Sequence, residues 1–242
     1  CTPGTTVYIH IRPVDNAGNI GEEFVQEIEI PDNESYFDLP YALFASEEEV
    51  QLFCCQADVK GIVYGNETFR FQGSTLNLLG TAYSAGKLQI AGGDLHIAEK
   101  IENASQIELP NYMTDILDNM KQNTGIEEIA EYNMANVTNP TICKTTTRAW
   151  CNRVNIFADL VSNGDISFNA NVMTLGYKDP VVIASENGDI TIQATNVNGN
   201  GLIYAPNGTV TINVCDFDYK GSIIAKKINI QATYYQHKIE DK

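Results

Sequence analysis

Three segments near the C-terminus align on one another at a spacing of about twenty residues: PVVIASENGDITIQATNV from Pro180, GLIYAPNGTVTINVCDF from Gly201 and GSIIAKKINIQATYY from Gly221. In each, an apolar pair precedes a small residue, a turn follows, and then apolar and polar residues alternate strictly. The small residues Ala184, Ala205 and Ala225 are spaced by 21 and 20, and the strand starts Ile190, Val210 and Ile228 by 20 and 18. A partial copy, NGDISFNANV from Asn163, puts Ile166 24 residues before Ile190. A unit this short cannot bury its own apolar face, so it must stack on its neighbours and share a continuous core with them. Alternation such as Ile190-Thr191-Ile192 sends one face inward and the other outward. Asn-Gly supplies the positive φ that a tight corner needs. The three alanines are therefore expected one above another, and Ile190, Val210 and Ile228 in an inward ladder.

Residues 61–98 repeat the theme. Gly61-Ile62-Val63-Tyr64 parallels Gly201-Leu202-Ile203-Tyr204, and Phe69/Phe71, Leu76/Leu78, Leu88/Ile90 and Leu95/Ile97 are short inward pairs. The expected fold is all-β: a right-handed parallel β-helix over 39–242, interrupted by a partly helical insertion at 101–160. The rival is a sandwich of hairpins, because Asn-Gly also makes hairpin turns; the fixed recurrence favours the solenoid. Within the insertion, Tyr112, Met113, Ile116, Leu117 and Met120 have helical spacing. Ile126, Ile129 and Ala130 after Thr124 read as a second short helix. Residues 1–38 form a separate segment with two strands, at 5–12 (Val7, Ile9, Ile11) and 24–30 (Val25, Ile28, Ile30). Two strands cannot bury a core alone. Either the rest of their domain lies upstream, or they are an assembly arm that adds to another sheet.

Acidic residues number 31 and basic ones 15, giving a formal charge of -16. Such a surface repels phosphate backbones and anionic membranes, which excludes nucleic acid as a partner. No run approaches the ~20 apolar residues of a membrane span. The chain opens inside a strand-rich stretch, so it is expected to be a mature or partial form of an exported protein. There are six cysteines, none in a CxxC spacing, and His10, His96 and His237 lie far from them, so zinc is poorly supported. An even count in an exported chain favours disulfides. Cys143 and Cys151 flank a short loop and are the expected intrachain pair. Cys1, Cys54 and Cys55 are candidates for bonds between subunits, since adjacent cysteines strain the peptide if they pair with each other.

Asp165 and Asp189 recur at equivalent turns. Stacked turn aspartates can hold calcium between coils, or more simply cap turns through the backbone. No repeat supplies them with a basic partner, and there is no GxSxG or phosphate-binding loop. An enzyme is not expected; a polysaccharide lyase is retained only because such folds host them. Tyr204, Tyr219, Tyr234 and Tyr235, with the single Trp150, are either stacking residues for glycans or another subunit, or half-buried strand residues. Sequons at Asn33, Asn66, Asn103, Asn136 and Asn207 read as chance in an Asn- and Thr-rich chain.

Two stretches resemble known families. YIHIRPVDNAGN, from Tyr8 to Asn19, resembles the penultimate strand of bacterial immunoglobulin-like or fibronectin-type repeats, although the earlier strands of such a domain are absent. GLIYAPNGTVTIN, GSIIAKKINI and NGDITIQAT, within 61–98 and 161–232, resemble repeats in β-helical surface proteins of Gram-positive bacteria. The second resemblance implies export and a structural or adhesive role, and brings no catalytic residues. The expected function is a secreted structural protein of the cell surface, a filament or rod subunit assembled by strand addition and disulfides. Its partners are then further copies of the chain or other surface proteins. The alternative is an adhesin module that binds glycans or host matrix.

Overall fold

The alternation read from the sequence becomes parallel strands in a computed structural model. It describes residues 39–109, 111–122, 127–130, 132–133, 135–176 and 178–239, and the backbone of 6–11 and 24–29. The chain divides into two units, Cys1–Asp38 and Leu39–Lys242. In the first, β1 (Thr6–Ile11) pairs antiparallel with β2 (Phe24–Glu29), from Thr6↔Glu29 to Ile11↔Phe24. The two strands thus satisfy one another along one edge. Cys1 and Ile30 lie outside the described residues.

The second unit is one parallel-strand sheet. Its first half contains β3 (Tyr41–Ala45), β4 (Val50–Lys60), β5 (Ile62–Gly65), β6 (Phe69–Ser84), β7 (Leu88–Ala91) and β8 (Asp94–Ile101). After α1 (Met113–Gln122) come β9 (Glu127–Ile129), β10 (Tyr132–Asn133), β11 (Asn136–Val137), β12 (Thr141–Cys143) and β13 (Thr147–Ile156). The chain continues through β14 (Leu160–Ser162), β15 (Ile166–Leu175) and β16 (Val181–Ser185) into the long β17 (Ile190–Lys238). Each rung of the stack pairs in parallel with the next, as in Ile166↔Ile190, Leu160↔Ile183 and Val50↔Phe69. Long strands skip one partner in mid-course, between Ala170↔Ala194 and Val172↔Asn196 for instance, and turn a corner there.

The order of rungs in space is not their order in sequence. The path runs β9-β12-β14-β16-β17 and then continues into β3-β5-β6. The last rung of the chain, 221–238, therefore lies in the middle, against residues 41–60, with Ile228↔Val50, Ile230↔Leu52 and Ala225↔Ala45 in register. Backbone bonds also cross the adjoining corner, Ser46 N–H donating to Ala225 O (2.8 Å) and Ile228 N–H to Glu49 O (3.1 Å). Charge completes the junction: Lys226 Nζ lies 3.1 Å from Glu47, and Lys227 Nζ 3.4 and 3.2 Å from Glu48 and Glu49.

Because the stack ends at β8 and restarts at β9, the chain must return along its length, on the order of 40 Å at about 4.8 Å per strand. The connection between β8 and β9 makes that return, and within it residues 102–109 and 111–122 are described. They bury the outer side of one face, and so Val182, Ala184, Leu202, Tyr204 and Phe44 are buried although they alternate with inward residues. Met113, Ile116 and Met120 form the buried side of α1, and the Asn111 side chain caps its start by accepting Met113 N–H (3.0 Å). Tyr204 Oη accepts Tyr112 N–H (3.1 Å) and donates to Asn111 Oδ1 (3.3 Å). Tyr64 donates to Ser105 O (2.7 Å), and Asn66 bonds both backbone groups of Ile107. Asn66 is thereby buried, which removes one of the five sequons from consideration as an acceptor.

Three expectations are corrected here. The interruption is shorter than 101–160, because β12, β13 and β14 pair within the sheet; the buried residues of β12 and of the first half of β13 are Thr141, Cys143, Thr147 and Ala149, too small and polar to advertise a core strand, while Val154, Ile156 and Leu160 follow in the core. The second helix is instead strand β9, paired with β12. Ala184 stacks on Tyr204, one place out of register with the expected column of alanines. The column of small residues at that corner is Cys143, Ser162 and Ser185 in one run, and Ala225, Ala45, Gly65 and Ser84 in another. Ile190, Val210 and Ile228 are all fully buried.

Glycine guards a second corner. Gly201 and Gly221 have φ of +138° and +124°, and a Cβ on either would meet the carbonyl oxygen of Val181 or Gly201 at 1.9 Å. Gly201→Ala is therefore expected to cost roughly 2 kcal/mol or more in urea unfolding. Gly93→Ala, whose Cβ would meet nothing nearer than 3.4 Å, is expected to stay within about 0.5 kcal/mol of the parent.

Candidate assembly surfaces

The turn carboxylates at the surface of the sheet are engaged by backbone groups of neighbouring strands. Asp165 Oδ1 accepts Asp189 N–H (2.9 Å), and Asp189 Oδ1 accepts Thr209 N–H (2.7 Å). Each carboxylate thus caps the turn of the next rung, which is the simpler of the two roles expected for the pair. Asp159 does the same for Val182 N–H (2.8 Å), and its burial raises its pKa. Among the described residues no three His, Cys, Asp or Glu side chains gather as metal ligands would.

The aromatic residues divide between inside and outside. Phe217 stacks on Tyr235 with centroids 5.2 Å apart, and Tyr219 stacks on Phe217 at 5.5 Å. Gly199 leaves the space that the Tyr219 ring fills, since a Cβ there would lie 2.7 Å from it. Tyr204, Tyr219 and Tyr235 are thus buried; only Tyr234 of the four, 54% exposed, and Trp150, 75% exposed, are free to stack on a ligand. His237 belongs to the inner cluster. Its Nε2 faces Gly221 O at 2.8 Å, and its Nδ1 faces Tyr235 Oη at 2.6 Å. A carbonyl only accepts, so Nε2 carries the proton and Nδ1 accepts from the tyrosine. Burial lowers the pKa of this imidazole to about 4.

The cysteines do not pair as expected. Cys143 is an inward thiol that donates to Thr146 O (3.2 Å) and Ala130 O (3.6 Å), while Cys151 donates to Arg153 O (3.0 Å). Both are free; the stretch between them is a corner and a strand rather than a loose loop, and it sends them to different rows. Cys54 is also inward, and burial pushes its thiol up to about 12. It is unsuited to a bond between subunits. Cys55, the next residue, points outward and is exposed, as is Cys215, which the sequence reading left without a role.

The stack ends on an open rung. Among the described residues, strands β7 and β8 pair with β6 alone, from Phe69↔Leu88 to Tyr83↔Ile101. Their inward residues Leu88, Ile90, Leu95 and Ile97 rest on the core and remain partly exposed on the far side. The residues that follow bond its corner, with Asn103 N–H donating to Gly86 O and Ala104 N–H to Ser84 O, both at 3.0 Å. A recess of about 380 Å3 opens between Leu88, Ile90, Lys100 and Glu102. No helix among the described residues is long and apolar enough to cross a membrane. Comparison of the chain with known protein families, curated proteins and solved structures finds no match.

The buried imidazole makes stability depend on pH. The unfolded chain takes up a proton near the ordinary histidine value of 6.5, but folded His237 resists until about pH 4. Its neutral form stabilises the fold fully above pH 6.5, and this contribution is lost as pH falls toward 4, by roughly 3 kcal/mol. The groups that face it are Tyr219 and Tyr235, neither of which titrates in that range. Urea midpoints of the parent between pH 7 and 4.5 are expected to fall more steeply than those of His237→Phe, in which the carboxylates still titrate but this group does not.

Proposed function

We propose that this chain is a secreted, non-catalytic structural protein whose rungs wind as a right-handed parallel β-helix, and that it is a subunit of a cell-surface filament or rod. Handedness follows from the strong preference of parallel strand connections for the right-handed crossover. The observation that carries the reading is the open rung at Leu88–Ile101. Its backbone edge and its half-exposed Leu88, Ile90, Leu95 and Ile97 are what the next rung of a stack normally covers. The molecule already contains such a joint between rungs that are not consecutive in sequence, at 221–238 against 41–60. Strand addition from a neighbouring copy onto β7 and β8 repeats that joint between chains, and a head-to-tail contact of this kind generates an open polymer. A charge of -16 suits an extracellular surface.

The adhesin reading has one observation in its favour, the exposed ring of Tyr234 beside the outward Asp216, Asp218 and Gln236. The lyase reading draws nothing from Asp165 and Asp189, whose carboxylates already serve backbone N–H groups.

The end-joining reading is tested by electron microscopy and light scattering of the full chain over a range of concentrations. The parent is expected to form rods that lengthen with concentration. A Leu95→Asp/Ile97→Asp variant is expected to keep its circular dichroism and melting transition and to remain short. A parent that never lengthens, or a variant that lengthens equally, contradicts it.

A further inference from the structure

The two outward thiols share a single corner of the stack. Ala232 pairs with Cys54 and Tyr234 with Gln56, so Thr233 stands beside Cys55 on the skipped position of the turn. Phe217 stacks face to face on Tyr235, an offset of 18 residues that puts Cys215 beside Thr233 in turn. Cys215, Thr233 and Cys55 therefore form a short column along one ridge, with Thr233 at its centre. Two rung spacings separate the cysteines, roughly 9–10 Å. A disulfide needs Cα atoms closer than about 7 Å, so the two cannot bond within one chain.

A shallow recess of about 660 Å3 lies along the column, lined by Phe53, Cys55, Ser74, Asn213, Val214 and Gln231 among others, and no lining residue is charged. On a chain carrying -16, this side of the column offers a second copy an uncharged strip, while Asp216 stands beside Cys215 on the other side. The half-buried Phe53 and exposed Tyr234 flank the column, and aromatic residues are enriched at such contacts.

We propose that this ridge is a self-docking surface, on which two copies of the chain lie side by side and antiparallel, joined by two reciprocal disulfides between Cys55 and Cys215. A twofold axis through the Thr233 level brings Cys55 of each copy against Cys215 of the other, and makes both bonds equivalent, as an isologous contact requires. Each bond forms by thiol–disulfide exchange with a small-molecule disulfide such as oxidised glutathione. One protein thiolate attacks it and releases a glutathione thiolate; the opposing thiolate then attacks the mixed disulfide and releases the second. Per bond, two protein thiols are oxidised, one glutathione disulfide is reduced to two thiols, and both thiol protons pass to the departing glutathione thiolates. This deepens the self-assembly reading above, since it locates the disulfides in that reading and makes them lateral rather than end-to-end.

The full chain, incubated with oxidised and reduced glutathione, is expected to give a covalent dimer in electrophoresis without reductant. Peptide mapping of that band is expected to yield the Cys55–Cys215 cross-linked peptide. Cys55→Ser and Cys215→Ser, each alone, are expected to lose the dimer while keeping the parent's circular dichroism. Mixing the two variants is expected to restore it, because the remaining thiols are complementary. Dimers in either variant alone at the parent's level overturn the proposal. So do Cys55–Cys55 or Cys215–Cys215 peptides as the main product, a Cys55–Cys215 peptide from the monomer band, or a parent that stops at mixed disulfides with glutathione. A dimer that forms as described but never lengthens into rods upholds the ridge and contradicts only the end-joining reading.

Discussion

A parallel rung has two backbone edges, and nearly every other feature of this protein follows from how those edges are satisfied. Hydrogen-bonding groups left unpaired and away from water are costly, so each rung must find a neighbour above and below. The joint between 221–238 and 41–60 is where this demand is hardest to meet, because the rungs that meet there are separated by most of the chain. It closes with in-register pairing from Ile228↔Val50 to Lys238↔Lys60, inward ladders of apolar residues, and lysines set against glutamates at the corner. The lysine–glutamate contacts are still reached by solvent and contribute little individually; register is set by the apolar ladder, because a one-residue slip would turn it outward.

The joint has a topological consequence. For the last rung to dock on the first, the chain must leave one end of the stack and begin again at the other, and the connection between β8 and β9 carries it there. The return segment serves as cover as well as connection, which explains why one face of the sheet is apolar on both sides. Val181 and Ile183 belong to the interior, while Val182 and Ala184, which alternate with them, are buried beneath the return segment. Tyr204, Tyr64 and Asn66 anchor it through bonds to backbone groups that have no strand partner.

Much of this was legible in the residues. The alternation at Ile190, Val210 and Ile228 and the glycines before Ile62, Leu202 and Ser222 locate rungs, inward faces and corners, because side-chain period and backbone sterics are local properties. The strands at 141–149 escaped notice because their inward positions hold Thr141, Cys143, Thr147 and Ala149, which core packing tolerates but sequence pattern does not signal. The spatial order of the rungs was not legible at all: nothing local to Val50 indicates that its neighbour is Ile228. The same limit explains the cysteines. Sequence spacing favoured Cys143 with Cys151, but bonding depends on which face each strand presents. That same property separates the inward Cys54 from the outward Cys55 and places Cys215 on the ridge with Cys55.

The central claim is that the C-terminal rung is an interior element of the stack rather than an end. Hydrogen exchange measured by mass spectrometry on the full chain tests it directly. Peptides covering 228–238 and 50–60 are expected to be among the slowest to exchange, and to do so together at the rate of global unfolding. Peptides from the open rung at 88–101 are expected to exchange sooner. Fast exchange at 228–238, in the manner of a fraying terminus, while 50–60 stays protected, would contradict the account.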